Sequence, residues 1–248
     1  MPASARKPSP SDFYHVVIRG VAQQIIFEDD RDRMAMYDAM HRILGEENVV
    51  LFAWCMMSNH VHLLVRASLA DMAQFMKRVE LSYVAHFNAR HGRTGHLFQG
   101  RYHSEPIMSD EQLLATVRYI HQNPWKAGIA RSCDFAWSSY REYVGVPRLV
   151  EVEFVKEMLD GMDGLEEFHS YADFDAKVFD VDELSTPMTD EDAREIAAAV
   201  IGETALREIL SMEKVERDEA LRALKHAGLS VRCVARLTGV GRGAVERA

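Results

Sequence analysis

Apolar and polar positions along the first 150 residues predict an alternation of strands and helices. Residues 13–20 (FYHVVIRG) are rich in β-branched and aromatic side chains, which is typical of a strand. Residues 49–57 (VVLFAWCMM) and 60–66 (HVHLLVR) predict two further strands, joined at Ser58 and Asn59 by a tight turn. These two strands should therefore form a β-hairpin.

Three segments of the same region place apolar side chains at intervals of three and four, the spacing of an amphipathic helix. They are residues 28–44, 69–91 and 109–122, and a short strand is expected within residues 96–108. The order strand, helix, two strands, helix, strand, helix predicts an α+β fold in which helices pack on one face of a sheet.

The pattern changes near residue 151. Residues 151–185 are acidic and interrupted by glycine and proline, which predicts a partly helical linker or surface attachment. Residues 186–248 are strongly helical. We therefore expect a first domain at residues 1–150, followed by the acidic segment and a small all-α tail.

Near the C-terminus the pattern is that of a helix-turn-helix. Gly228 is expected to end one helix, Ser230 to cap the next, and a turn at Gly239 to precede a last helix that starts near Gly241. A helical hairpin that packs on the first domain is the alternative. Arg242, which directly follows the turn, favours a DNA-binding tail.

Charge is distributed unevenly along the chain. The 248 residues carry a formal net charge of −9, yet residues 1–150 contain 17 Lys and Arg against 15 Asp and Glu, whereas residues 151–248 contain 12 against 23. Nucleic acids bind local basic surface, and nine of the eleven histidines also lie in the first segment. The overall acidity therefore does not exclude a nucleic-acid partner.

Cysteine spacing and hydropathy indicate an intracellular protein. The chain is 48% hydrophobic and 27% charged, and Cys55, Cys133 and Cys233 lie far apart without a CxxC spacing. Neither an apolar signal region nor an apolar run of about 18 residues, the length of a membrane span, occurs. We expect a cytoplasmic monomer or homodimer with no membrane partner.

Two histidines, His60 and His62, begin the second strand of the hairpin. Side chains alternate along a strand, so both imidazoles should leave the same face while Val61 leaves the other. This geometry suits a metal site. A half-buried strand can also carry paired histidines that only form hydrogen bonds, so the two interpretations remain open at this point.

The helix at residues 109–122 and the residues after it offer partners for these histidines. Tyr119 and Asn123 are four residues apart and share one helix face. If that face looks at the surface displaying His60 and His62, Asn123 completes a site of two nitrogens and one oxygen. Such a site, with open positions, suits Mg²⁺ or Mn²⁺. A tyrosine on an amphipathic helix is, taken alone, more often a packing residue.

Five stretches of the chain, taken in order, resemble the REP-associated tyrosine transposases, a group of single-tyrosine HUH transposases. They run from about residue 12 to 145 and are YHVVIRG, NHVHLLV, SYVAHFNARHGRTGHLFQGRYHSEPI, YIHQNPWKAG and FAWSSY. The HxH pattern by itself is a weak signal. Five such stretches in sequence are specific.

The resemblance implies a ferredoxin-like domain with an antiparallel sheet that cuts and rejoins single-stranded DNA at hairpin-forming repeats. It implies that His60, His62 and Asn123 are ligands of a divalent metal, Mg²⁺ or Mn²⁺, and that Tyr119 is the nucleophile. Attack by a tyrosine oxygen would leave a 5′-phosphotyrosine and a free 3′-hydroxyl, which conserves the bond for rejoining without ATP.

Two other classes of function are weighed against this one. A repressor could recognise hairpin DNA without cutting it, although such a protein has no need of Tyr119, His60 and His62 together. A zinc hydrolase could use the two histidines, but no convincing carboxylate base or third zinc ligand lies near them.

Basic side chains supply the candidates for DNA contact. They are Arg19, Arg93, Arg101 and Arg242, among which Arg101 is favoured because the resemblance places it beside a short strand near the active site. A single surface arginine is usually only solvated. Tyr83, Tyr102 and Tyr140 are expected to be structural, and a packing or surface role is expected for His121.

Overall fold

The computed structural model describes residues 6–132, 134–159, 162–170, 178, 190–227, 229 and 231–247. Its first elements follow the predicted order. The strands are β1 (Phe13–Arg19), β2 (Val50–Met56), β3 (His60–Arg66) and β4 (His103–Pro106). The first three helices are α1 (Asp30–Leu44), α2 (Leu69–His91) and α3 (Asp110–Lys126).

The four strands form one antiparallel sheet in the order β2-β3-β1-β4. β1 lies inside the sheet and all seven of its residues are buried, because neighbouring strands flank it on both sides and helices cover the sheet. The predicted α+β fold with a ferredoxin-like antiparallel sheet is confirmed.

The two faces of the sheet carry different helices. On one face α1 packs against α2, and the ring of Tyr37 lies 5.7 Å from that of Trp54 on β2. Side chains alternate along a strand, so Trp54 and its neighbour Cys55 leave opposite faces, and Cys55 pairs with His62. α1 and α2 thus form the expected helical layer, whereas α3 packs on the face that carries His62.

Local sequence sets the ends of the two long helices in this layer. Asp29 caps α1 and Ser68 caps α2, each side chain accepting hydrogen bonds from backbone amides of the first turn. Gly92 ends α2 in the left-handed conformation, with φ at 61°. Glycine reaches this region without the steric penalty of a side chain, so α2 stops where the sequence predicts.

α3 is longer than predicted. The expected end was Gln122, but the helix continues through Pro124 to Lys126. Proline cannot donate its backbone hydrogen bond, yet the last turn still closes because the Ala127 amide donates to the Asn123 carbonyl at 3.0 Å. This extra turn keeps Asn123 within the helix that carries Tyr119.

Several short helices follow the sheet domain. They are α4 (Tyr140–Val144), α5 (Glu153–Met158), α6 (Met162–Ser170), α7 (Asp190–Ile201), α8 (Glu203–Glu208), α9 (Lys214–His226), α10 (Val231–Thr238) and α11 (Arg242–Arg247). The predicted turn at Gly239 is present between α10 and α11, with φ at 72°. The predicted helix end at Gly228 and cap at Ser230 lie outside the described residues, as does most of 171–189.

The buried apolar residues within the described ranges form two clusters. The larger joins the sheet to α1, α2 and α3, and it includes Val155 of α5 and Leu165 of α6. The smaller joins the tail helices and takes in Ala22, from the turn that follows β1. Described parts of the acidic segment therefore pack on the sheet domain, and the tail contacts that domain near the end of β1. The boundaries at residues 150 and 186 stay a prediction.

Among the described helices, none combines the length and apolar character required to cross a bilayer. Cys55 is a buried free thiol in the larger cluster, Cys233 is buried in the smaller cluster, and Cys133 lies outside the described residues.

Candidate active site

The two histidines of β3 lie side by side on the face covered by α3. In the antiparallel register His60 lies opposite Arg19 and His62 lies opposite Val17, both on β1. The imidazole rings of the two histidines are 4.8 Å apart between centroids and nearly perpendicular. His62 is fully buried, while His60 is only partly buried. The period of two predicted from sequence therefore places both rings on one surface.

Hydrogen bonds determine which nitrogen of His62 carries the proton. Asn123 Nδ2 donates to His62 Nε2 at 3.1 Å, and His62 Nδ1 lies 3.0 Å from His15 Nε2. Since Nε2 accepts from the amide, the proton resides on Nδ1 and is donated to His15. His15 thus holds the orientation of His62 and leaves the Nε2 lone pair directed at α3.

The same argument applies to His60. Its Nδ1 lies 2.7 Å from Asn59 Oδ1, an atom that can only accept, so Nδ1 carries the proton and donates it. The Asn59 amide is itself oriented, because its Nδ2 donates to the Gln23 carbonyl at 3.3 Å. In both histidines Nδ1 therefore carries the proton, and Nε2 is the nitrogen whose lone pair could coordinate a metal.

Tyr119 of α3 closes the other side of this cluster. Its ring meets His62 edge-on, with centroids 5.5 Å apart, and lies 5.8 Å from the ring of His15. The side chain is 6% exposed. Lys126 Nζ lies 5.4 Å from the centroid of the Tyr119 ring, so a positive charge accompanies the phenol. The face shared by Tyr119 and Asn123 does look at the surface of His62.

Electrostatics keep His62 neutral. Burial, followed by the nearby charges of His60 and His15, holds the pKa of His62 well below its usual value. A neutral imidazole is the form that coordinates a metal or accepts a hydrogen bond. His62 is therefore in a ligating protonation state at neutral pH.

These residues fit a divalent ion of the kind predicted. Two imidazole Nε2 atoms share one face, and rotation of the Asn123 amide would present Oδ1 in place of the Nδ2 that now contacts His62. Such a set of two nitrogens and one oxygen leaves positions open for phosphate oxygens. No group of three or more His, Cys, Asp and Glu side chains arranged for a metal occurs among the described residues, so the site depends on Asn123. The ligand roles stay a prediction.

The four predicted DNA-contacting arginines lie in different places. Arg19 is buried at the end of β1, opposite His60, and its charge contributes to lowering the pKa of His62. Arg93 follows α2 and donates to Gln24 Oε1 at 2.8 Å. Arg101 lines a separate pocket beside α2, and Arg242 is exposed at the start of α11. Of these four arginines, Arg19 thus lies beside the histidines.

Sequence reasoning missed His15, Asn59 and Lys126. Alternation along β1 could have identified His15, which shares a face with Arg19. Lys126 is seven residues after Tyr119, two helical turns on, and was missed because the helix was ended before Pro124. No comparable sequence pattern points to the role of Asn59, because its place in a turn already explains why an asparagine occurs there.

A second pair of buried histidines anchors α3. His121 Nδ1 lies 2.9 Å from His169 Nε2, and His121 Nε2 lies 2.9 Å from Ser139 Oγ. Burial holds the pKa of His121 well below its usual value and lowers the pKa of His169 to about 4. Both rings are neutral at neutral pH, and they link α6 and the segment before α4 to the helix that carries Tyr119. His121 therefore has a packing role, as expected from the sequence.

Comparison with known proteins yields one family match. Residues 11–123 match the model of a family described as "Transposase IS200 like". No curated protein matches the chain. One solved structure, described as a REP-associated tyrosine transposase bound to a REP hairpin, has 15% sequence identity and a TM-score of 0.47, covering 62% of this chain and 90% of that one.

A second solved structure, a putative transposase from Deinococcus radiodurans R1, has 17% sequence identity and a TM-score of 0.34, covering 48% of this chain and 96% of that one. Both TM-scores are too low for these similarities to support an assignment of function. The matched segment runs from before β1 to Asn123 on α3, so it includes both histidines and the tyrosine. Over residues 11–123, the chain is therefore similar to the IS200-like transposase family.

Proposed function

We propose that this protein is a transposase that cleaves and rejoins single-stranded DNA at hairpin-forming repeats, with Tyr119 as the nucleophile. The observation that carries the proposal is the packing of Tyr119 edge-on against His62, whose Nε2 is at the same time 3.1 Å from Asn123. Nucleophile and phosphate-binding groups must converge on one phosphorus, and these are the residues that the fold brings together.

The chemistry follows from a tyrosine nucleophile. The Tyr119 oxygen attacks a phosphorus in the strand and gives up its proton, and the bond from phosphorus to the 3′-oxygen breaks. The 3′-oxygen takes up a proton and leaves as a hydroxyl, while the downstream strand stays joined to the protein as a 5′-phosphotyrosine. Attack on that link by a 3′-hydroxyl reverses the step and restores the phenol. Cleavage and rejoining therefore need no ATP.

The site lowers the activation free energy mainly by stabilising negative charge on the phosphate in the transition state. His60, His62 and Asn123 would hold Mg²⁺ or Mn²⁺, which when bound neutralises charge on the non-bridging oxygens. Lys126, beside the Tyr119 ring, and Arg19, opposite His60, add positive charge at the two ends of the cluster. We propose that the protein works in the cytoplasm, where DNA is present and thiols such as Cys55 remain reduced.

A non-cleaving regulator of hairpin DNA is the second candidate. It would bind DNA without covalent chemistry, and it gives no reason for a tyrosine packed against a histidine pair whose Nδ1 atoms carry the protons. Formation of a covalent adduct separates the two candidates.

The proposal is tested with the wild-type protein and a 3′-labelled single-stranded oligonucleotide that folds into a hairpin with an unpaired flank. We expect label on the protein after denaturing electrophoresis, dependent on Mg²⁺ or Mn²⁺ and absent with a blunt duplex of the same sequence. Cleavage that persists unchanged in EDTA would show that the reaction does not need a divalent metal. Hairpin binding with no adduct in either metal would favour the regulator.

We propose in addition that α10 and α11 contact duplex or hairpin DNA, with Arg242 directed at phosphate. Arg242 is exposed at the first position of α11, immediately after the turn at Gly239. Because Ala22 joins the apolar cluster of the tail, deleting the tail would expose apolar surface on the sheet domain. A point substitution is the cleaner test.

Arg242→Ala is expected to weaken hairpin binding about threefold to tenfold and to reduce the salt slope of binding by about one. Cleavage at saturating DNA should not change. Arg207→Ala, which removes another exposed tail arginine, on α8, is the control. Fluorescence anisotropy across a salt series measures both affinities. If the two variants bind as tightly as the wild type, the tail is a helical attachment that packs on the first domain.

A further inference from the structure

A pocket of about 460 Å³ lies between α2 and the segment 95–102 that leads into β4. Phe98 and Tyr102 contribute aromatic surface, and Glu80 of α2 contributes a carboxyl group. Three cations, Arg6, Lys77 and Arg101, line the same pocket. Nothing in the chemistry of Tyr119 and the histidines uses these side chains.

Two polar atoms in the pocket wall have no hydrogen-bond partner among the residues that the structure describes. Glu80 Oε1 and the Tyr102 hydroxyl are both buried without a hydrogen bond, and Tyr102 is only 9% exposed. An unsatisfied buried polar group costs about 1–3 kcal/mol, so two of them in the wall of one pocket are unusual in a site with no ligand. Consistent with this, burial raises the pKa of the Glu80 carboxyl to about 7, although the Arg6 charge opposes the shift.

A ligand that complements this pocket combines hydrogen-bond donors, a flat apolar body and a negative charge. Donors are required because an ionised carboxylate only accepts. A flat body suits a pocket with two aromatic side chains. A negative charge suits the three cations, of which Arg6 lies 3.9 Å from the centroid of the Tyr102 ring. Among nucleotides, guanine offers two adjacent N–H donors, at N1 and N2, that match the two oxygens of a carboxylate.

We propose that this pocket binds one guanine nucleotide, with the base donating to Glu80 and contacting Tyr102, and the phosphate near Lys77 and Arg101. The last torsion of a glutamate side chain is soft, so either oxygen can turn toward a ligand. The base would donate to both oxygens of the Glu80 carboxylate, among them the unpartnered Oε1, and its O6 would accept from the Tyr102 hydroxyl.

Backbone contacts connect the wall of this pocket to the end of β1, beside the candidate active site. The Gln99 amide donates to the Arg19 carbonyl at 2.8 Å, and Phe98 pairs with Gly20 as an isolated bridge. Arg19 in turn lies opposite His60. The guanine could therefore belong to an unpaired position of a DNA strand that reaches the histidines, or it could be a free nucleotide. Both sources share the chemistry of recognition.

The test measures binding of dGMP and of dIMP, which lacks the N2 amino group, to the full-length protein by titration calorimetry. A second arm uses the pentanucleotide TTGTT and its inosine equivalent. We expect the guanine form to bind about 10-fold to 100-fold more tightly than the hypoxanthine form in at least one arm, as a charged hydrogen bond of about 1.5–3 kcal/mol would give. Discrimination in the pentanucleotide arm alone identifies a DNA strand as the source, and discrimination by dGMP identifies a free nucleotide.

Two variants and a control accompany these measurements. Glu80→Gln should reduce the preference for guanine over hypoxanthine to about twofold or less, because an amide cannot accept from both donors. Tyr102→Phe should weaken guanine binding about threefold to tenfold and leave the fold intact, since the lost hydroxyl had no partner. Glu157→Gln, at an exposed glutamate of α5, should behave as the wild type. Equal affinity for guanine and hypoxanthine forms in both arms of the wild-type experiment would overturn the proposal, whatever the outcome of the cleavage assay.

Discussion

Replacement of Tyr119 by phenylalanine is expected to abolish the covalent protein–DNA adduct and to lower strand cleavage by on the order of 10³-fold or more. The phenyl ring keeps the edge-on contacts with His62 and His15, because neither contact involves the hydroxyl. Folding, metal binding and hairpin affinity should therefore stay close to wild type. Denaturing electrophoresis of a 3′-labelled hairpin detects the adduct directly, since a 5′-phosphotyrosine link retains that label.

Tyr140→Phe is the matched control for this experiment. Tyr140 is also a buried tyrosine, and its ring lies 5.7 Å from that of His121, the histidine that anchors α3. This variant should form the adduct at the wild-type rate. A labelled adduct in the Tyr119→Phe protein would transfer the role of nucleophile to another residue, with Tyr102 the next to test.

His60→Ala should cost several kcal/mol of activation free energy, which is on the order of 10²–10⁴-fold in cleavage rate, and excess Mn²⁺ should restore part of it. His60 is the better histidine to remove because it is partly exposed, whereas loss of the fully buried His62 would also leave His15 and Asn123 without their shared partner. Mn²⁺ binding followed by electron paramagnetic resonance gives a readout that does not depend on cleavage.

A milder variant distinguishes coordination from orientation. Asn59→Ala retains His60 but removes the acceptor that fixes its Nδ1 proton, so a loss of about 10-fold to 100-fold in Mn²⁺ affinity is expected. His41→Ala, at an exposed histidine of α1, is the control. Full Mn²⁺ affinity in the His60→Ala protein would show that His60 is not a ligand.

Local sequence determined most of the sheet domain. The extent of α2, from Ser68 as cap to Gly92 as terminator, follows from side chains within a few residues of each end. The hairpin of β2 and β3 follows from two apolar runs and a short turn, and alternation then places His60 and His62 on one face. These features depend on neighbours along the chain, which is why they can be predicted without a tertiary structure.

What the sequence left open are pairings between distant segments. The packing of α3 against β3 decides whether Tyr119 and Asn123 face His62. The packing of β1 against β3 decides that His15 orients His62 and which nitrogen of His62 carries the proton. In both cases the partners lie 47 or more residues apart along the chain. The same is true of the pocket at Glu80, whose wall comes from α2, the segment before β4 and the N-terminal Arg6. Packing brings these groups together and excludes water from them, so only the tertiary structure decides which atoms lack a partner and which pKa values shift.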